Sequence, residues 1–154
     1  MNEPRWLNDD EMRSAVEKVV SETGANSVRL DALLKASSGL TFDDYEVLVH
    51  LSEADDQQMR MSELSDQLYH SRSRLSQRID RMTERDLVER RKCEADGRGT
   101  WAILTPTGLA AIESAAPHHV EHVRTNFLDH ISAEEVQILA KSLARIAGRD
   151  GTSD

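Results

Sequence analysis

Apolar residues recur every three or four positions through most of the chain, the pattern of helices that bury one face. Asn8 with Glu11 three residues later has the form of a capping box, and Met12, Val16, Val19 and Val20 follow at helical spacing. Gly24 and Asn26 interrupt with poor helix formers, but the stripe resumes at Leu30, Leu33 and Leu34. The pattern therefore predicts one long or bent first helix ending near Ser37, Ser38 and Gly39. Thr41 is read as the cap of a second helix carrying Tyr45, Leu48, Val49 and Leu51, followed by a polar loop over 53–58. Ser62 is read as the cap of a short helix with Leu64 and Leu68. After a turn at Tyr69 and His70, Ser71 caps another whose inward stripe is Leu75, Ile79 and Met82.

The period then changes. Residues 88–94 and 100–104 read as two short strands, and the glycines in the intervening segment 95–99 permit a hairpin tip. No other β signal is visible. Thr105 and Pro106 restart a helix, proline standing where its missing N–H costs nothing. That helix holds Leu109 and Ile112, meets Pro117, which is expected to kink or break it, and continues through Val120, Val123, Phe127 and Leu128. Ser132 with Glu135 forms a capping box for a last amphipathic helix bearing Val136, Leu139, Leu143 and Ile146. The fold class is thus mainly α with a small β-wing.

Composition changes this picture little until the charges are located. The 154 residues carry a net charge of -9, which on its face disfavours nucleic acid. Yet between Ser71 and Lys92 eight basic residues stand against four acidic ones, a local +4 that leaves -13 for the remainder. An acidic body with one basic segment orients itself on DNA. A solvated helix face laced with ion pairs gives the same run of charge. No apolar run reaches the length of a membrane span, the opening Met1 to Arg5 lacks the regions of a signal peptide, and Cys93 is the sole cysteine. A cytoplasmic protein without a membrane partner is expected.

The order from 61 to 105 is short helix, tight turn, basic helix, two-stranded hairpin. Such an arrangement places its second helix in the major groove of DNA. With Leu75, Ile79 and Met82 inward, the outer face is expected to hold Arg72, Ser73, Arg74, Gln77, Arg78 and Arg81 after the Ser71 cap. Arginine bonds bidentately to guanine, glutamine to adenine, and serine to bases or phosphates.

These segments resemble the MarR (multiple antibiotic resistance regulator) family of bacterial winged-helix regulators. The resemblance rests on Met61 to Leu68 (MSELSDQL), Ser71 to Met82 (SRSRLSQRIDRM), Asp86 to Arg91 (DLVERR), Asp96-Gly97-Arg98-Gly99 and Leu104-Thr105-Pro106-Thr107-Gly108. Ser38 to Thr41 and Tyr45 to Leu48 also match, so nearly the whole chain is covered. The resemblance implies that Arg98 at the wing tip enters the minor groove, that Asp96 helps hold the wing, and that the helix from Arg72 reads the major groove. It also implies one domain over 1–154, with dimerisation helices at 8–37 and 106–148 and a winged helix-turn-helix lobe at 41–105. The expected partners are double-stranded DNA and a second copy of the chain, and the expected role is a ligand-responsive repressor on a palindromic operator. One departure is Asp86, where the family usually has glycine; aspartate tolerates the left-handed conformation better than most residues.

Other readings attach to particular residues. Trp6, Tyr45 and His50 are candidates for a cleft holding a small aromatic effector, against roles as a staple and as core. His118 and His122 have the spacing of paired metal ligands, but nothing completes a ligand set, and no metal or other cofactor is expected. Cys93 is read as a structural thiol. No catalytic triad, phosphate loop or carboxylate pair can be placed, so no enzymatic activity is expected. A protein-protein adaptor that has lost DNA binding, or a metal-responsive regulator, are the alternatives; outward arginines favour DNA over an adaptor.

Overall fold

The computed structural model describes residues 10–68, 70–93, 99–146 and 148. The Asn8 cap, Trp6, Tyr69, Asp96 and Arg98 lie outside them, as do the side chains of Met12, Val16, Val19 and Val20. Helix α1 runs unbroken over Asp10–Ser38, across Gly24 and Asn26. It ends where Ser37 and Ser38 hydroxyls donate back to the Leu34 carbonyl and Gly39, at φ 71°, donates its N–H to Lys35 O at 2.9 Å. Glycine accepts that left-handed conformation without a Cβ penalty. Helix α2, Phe42–Glu53, opens with a reciprocal capping box between Thr41 and Asp44.

Two features of the next stretch differ from the sequence reading. After a 3₁₀ turn at Asp55–Gln57, a third strand β1, Gln58–Arg60, emerges from what the sequence reads as loop. Three residues are too few to display an alternation. Its edge pairing with β3, Gln58 opposite Ile103 and Arg60 opposite Trp101, comes from residues more than forty positions away. Helix α3, Met61–Gln67, follows directly, so Arg60 occupies the N-cap position without its side chain capping the helix, and Ser62 lies inside the helix instead of capping it.

Helix α4, Arg72–Glu84, is capped as expected, Ser71 Oγ accepting from Arg74 N at 3.2 Å. It stops at Asp86, whose φ is 57°: Leu87 N donates to Met82 O and Asp86 N to Thr83 O, both at 3.0 Å. This is the paired closure a glycine normally makes. Asp86 compensates through Thr107, whose hydroxyl donates to its carboxylate at 2.8 Å. Strands β2, Val88–Lys92, and β3, Thr100–Leu104, form the hairpin, and the sheet order is β1-β3-β2, all antiparallel.

Helix α5, Pro106–Asn126, passes through Pro117 without a break. Ile112 and Ala115, buried five and two residues before the proline, and packing of α5 on α1 and α2 hold the helix past the lost hydrogen bond. Helix α6, Ala133–Ile146, begins with the Ser132–Glu135 box, Ser132 N donating to Glu135 at 2.7 Å and Glu135 N to Ser132 Oγ at 3.2 Å. The core gathers Leu34 and Leu40 with Val47, Leu48 and Leu51 of α2, Leu64 of α3, Leu75, Ile79 and Met82 of α4, and Val88 and Ala102 of the sheet. Each large aliphatic side chain so buried contributes on the order of 2 kcal/mol. None of the residues of α6 is buried, and Ile138, Leu139, Leu143 and Ile146 remain exposed. No helix among the described residues is long and apolar enough to cross a membrane.

Candidate nucleic-acid interface

The inward stripe of α4 fixes which side chains face out. Leu75, Ile79 and Met82 are at most 1% exposed. Ser71, Arg72, Ser73, Arg74, Gln77 and Arg81 are all exposed, at the start of the helix and along its outer side. With the helix N-terminus at Ser71, this face carries three guanidinium groups, an amide and two hydroxyls, the donors and acceptors that base edges and phosphates match.

Arg78 is not part of that face. It is buried, its Nη1 donating to Asp44 Oδ1 at 2.7 Å and to Thr41 Oγ1 at 3.2 Å, while Nη2 pairs with Asp43. A guanidinium committed to two carboxylates is held for structure, and the sequence expectation that Arg78 stands on the outer face of the helix is corrected accordingly. Arg74 shares Asp43 at 3.0 Å, but its side chain is 61% exposed, so this pair is weak and exchangeable. Arg85 adds contacts to Asp44 and to the Gly39 carbonyl. The result ties α2 and the end of α1 to α4.

A second tie joins α4 to the wing. Arg90 of β2 donates to Ser76 O at 2.7 Å and to its hydroxyl at 2.9 Å, and pairs with Asp80 at 3.0 Å. Arg60, at the end of β1, lies over the Trp101 ring at 5.4 Å and within 3.6 Å of Cys93 Sγ. Cys93 is buried at the root of the hairpin, its N–H donating to Gly99 O at 2.8 Å. Asp43, Asp44, Arg60, Arg85 and Arg90 have positions in this network that the sequence reading does not assign; the spacing 75-78-79-82, which puts Arg78 on the apolar stripe, is the one signal that points to it.

Tyr45 and His50, grouped in the sequence as effector candidates, part company. Tyr45 is buried against His119 of α5, ring centroids 4.6 Å apart, with Phe42 on the same imidazole at 5.8 Å. Burial raises the Tyr45 pKa, and burial, then the neighbouring His122, lowers that of His119. His50 Nδ1 donates to Glu46 O, 2.9 Å away, and the ring lines a hollow of about 570 Å³ with Glu53, Asp55, Glu63 and Trp101. His118 is exposed and His122 half-buried on α5. Among the described residues no three His, Cys, Asp or Glu side chains gather to hold a metal ion.

Residues 38–99 match the MarR family model. The chain is 35% identical over 88 residues to the HTH-type transcriptional regulator YsmB of Bacillus subtilis (strain 168), a match spanning 57% of this chain and 60% of that one. Its structure is similar to that of AbsC, a MarR family transcriptional regulator from Streptomyces coelicolor, with 40% identity, a TM-score of 0.85 and coverage of 94% of this chain and 97% of the other. Sco3205, a MarR family transcriptional regulator from the same organism solved in complex with DNA, superposes with a TM-score of 0.88 at 30% identity, covering 98% and 95%.

Proposed function

The chain belongs to the MarR family of transcriptional regulators, and we propose that it binds a palindromic operator as a homodimer and represses transcription until a small molecule releases it. The family is one of DNA-binding regulators, not of enzymes. The observation that carries the reading is the exposed face of α4: Arg72, Ser73, Arg74, Gln77 and Arg81 point away from the core, next to a wing pinned to the same helix by Arg90. A helix of this kind fits a major groove about 12 Å wide, and Arg98, between Gly97 and Gly99, is proposed to probe the adjacent minor groove with Asp96 holding the tip.

Dimerisation is supported by large apolar side chains that stay exposed among the described residues of one protomer. Val120, Phe127, Leu128, Ile138, Leu139, Leu143 and Ile146 are between 37% and 82% exposed, on the second half of α5, the short turn that follows it and α6. A symmetric pair would present two α4 helices to half-sites about one helical turn, roughly 10 base pairs, apart. The proposed effector is a small aromatic molecule bound between the helical region and the winged lobe in the cytoplasm. It must favour one spacing of the two reading helices over the other, since a ligand with equal affinity for both shifts nothing.

The test is selection of binding sites from random duplexes, followed by titration at several salt concentrations. An inverted repeat, bound with an affinity that falls steeply with salt, is the expected result. Absence of any DNA binding at low salt would favour the adaptor reading.

A further inference from the structure

The gap between the reading helix and the wing is itself lined for an anion. A hollow of about 460 Å³ is walled by Arg60 of β1, Arg72 of α4 and Arg90 of β2, with the hydroxyls of Ser62, Ser76 and Thr100 between them. Among the described residues, every charged one lining it is an arginine. In a chain with a net charge of -9 that grouping runs against composition, and the hollow beside His50 carries the opposite charge through Glu53, Asp55, Asp56 and Glu63. Two of the three guanidinium groups are already oriented: Arg90 by Ser76 and Asp80, Arg60 by the Trp101 ring. Pre-ordered arginine side chains lose little freedom when they take up a ligand, and their planar forks match phosphate oxygens.

The position of the hollow decides which anion. In a duplex, one phosphodiester strand separates each major groove from the neighbouring minor groove. A protein with a helix in the first and a hairpin in the second must accommodate that strand between them. The hollow opens between α4 on one side and β2 and β3 on the other, where that strand has to pass. We infer that Arg60, Arg72 and Arg90 form a clamp for a DNA backbone phosphate, which sets the depth of the reading helix without reading sequence. This rests on the DNA-binding reading above. The clamp adds Arg60 and Arg90, two strand residues, to the contact surface of the helix. Arg90 also holds the wing to α4, so it serves as a positioning residue as well as a phosphate ligand.

The experiment compares wild type with Arg60→Gln, Arg60→Lys and Arg72→Gln, using the full-length protein, the selected operator and an unrelated duplex. Arg60→Gln and Arg72→Gln are each expected to weaken binding to both duplexes by the same factor, about tenfold. Each should also lower the slope of log K against log salt by about 0.9. Arg60→Lys keeps the charge and should keep the slope, which a purely structural loss of the Trp101 contact would not do. On operators carrying single neutral methylphosphonate linkages, one position per half-site should weaken wild type more than it weakens Arg60→Gln, which keeps only two of the three arginines on that phosphate. Unchanged salt slopes in both glutamine variants, or a methylphosphonate profile identical to wild type, would overturn the clamp while leaving operator binding intact. Failure of wild type to bind either duplex at low salt would overturn the DNA-binding reading, and the clamp with it. Unaltered thermal unfolding of the variants ties the change to the contact.

Discussion

Arg78 and Asp44 stand 34 residues apart in the chain and meet at 2.7 Å, Nη1 donating to Oδ1, with side chains only 11% and 10% exposed. Asp44 also accepts from the Thr41 N–H at 3.3 Å, so one carboxylate caps α2 and anchors the middle of α4. Asp31 of α1 accepts from Phe42 N at the same corner, at 2.6 Å. The reading helix is thereby referenced to α1 and α2 by directional bonds as well as by packing. Replacing Arg78 by Met leaves Asp44 with only the longer contact to the more exposed Arg85, 3.4 Å away, and the loss of the main partner of such a buried pair costs about 3 to 5 kcal/mol. Urea denaturation of Arg78→Met is expected to show a loss in that range; less than about 1 kcal/mol would mean that water already solvates the network.

The same pair shows where sequence reasoning reaches its limit. Leu75, Ile79 and Met82 declare the buried side of α4 by spacing alone, and Ser71 declares its start. Arg78 lies on that stripe, three residues after Leu75 and one before Ile79, yet its charge argues for the outside. The residues that make it an inside residue, Asp43 and Asp44, sit on another helix and leave no local trace. Strand β1 was hidden for a related reason, since its partner β3 is remote and its three residues are too few for a period. Pro117 reads as a kink or break because propensity is local, whereas the contacts that carry α5 past it are tertiary. What was legible were the features encoded within a few residues: the caps at Thr41, Ser71 and Ser132, the hairpin, and the left-handed turn at Asp86.

A backbone contact supplies the second prediction. A Cβ on Gly108 would lie 2.1 Å from the Leu87 carbonyl oxygen and 2.9 Å from a Leu104 methyl. The start of α5 presses against the turn that ends α4, and the nearer partner is backbone, which cannot swing aside as a side-chain tip can. Gly108→Ala is expected to cost at least about 2 kcal/mol, the scale of overpacking a core, and to lower the thermal midpoint by several degrees. A wild-type midpoint would show that the turn can retreat.

Dimerisation can be tested on α6 without disturbing the winged lobe, because no residue of that helix is buried in the protomer. Leu139 and Leu143, 41% and 55% exposed, share one face of it. Leu139→Glu with Leu143→Glu places two carboxylates in the proposed apolar interface, where charge without a partner is strongly disfavoured. Light scattering should show a dimer for wild type and a 17.3 kDa monomer for the double variant, with operator affinity falling as the second half-site is lost. A wild-type protein that is monomeric at micromolar concentration would remove the interface.

The histidine between Phe42 and Tyr45 makes stability depend on pH with a definite sign. Burial and His122 lower the His119 pKa from its ordinary value of 6.5, so the folded chain resists a proton that the unfolded chain accepts. Stability on this account is full above about pH 6.5 and declines as the pH falls toward the lower folded value. Its Nδ1 is buried without a hydrogen-bond partner among the described residues, which adds to the penalty on a second N–H. His119→Phe keeps the aromatic contact and removes the proton. Chemical denaturation at pH 7.5 and 5.5 should show a smaller drop for the variant than for wild type; equal drops would assign the pH dependence to other groups.

Base reading is the step that separates a specific regulator from a protein that merely adheres to DNA, and Gln77 is the residue best placed to test it. It is exposed two positions after the buried Leu75, on the face it shares with Arg74 and Arg81. Arg74 is partly diverted to Asp43, and arginine binds phosphate as readily as guanine, so its loss would not distinguish the two kinds of contact. An amide does distinguish them, because its donor and acceptor together match adenine N7 and N6 and no other base edge in the major groove. Gln77→Ala should therefore cost about 1 to 3 kcal/mol on the selected operator and little on unrelated duplexes. It should leave the salt slope where it was, the reverse of what is expected for Arg60→Gln. Selection with the variant should return a motif degenerate at one position per half-site. Recovery of the wild-type motif at unchanged affinity would take Gln77 off the reading face and leave specificity to the arginines and to the shape of the duplex.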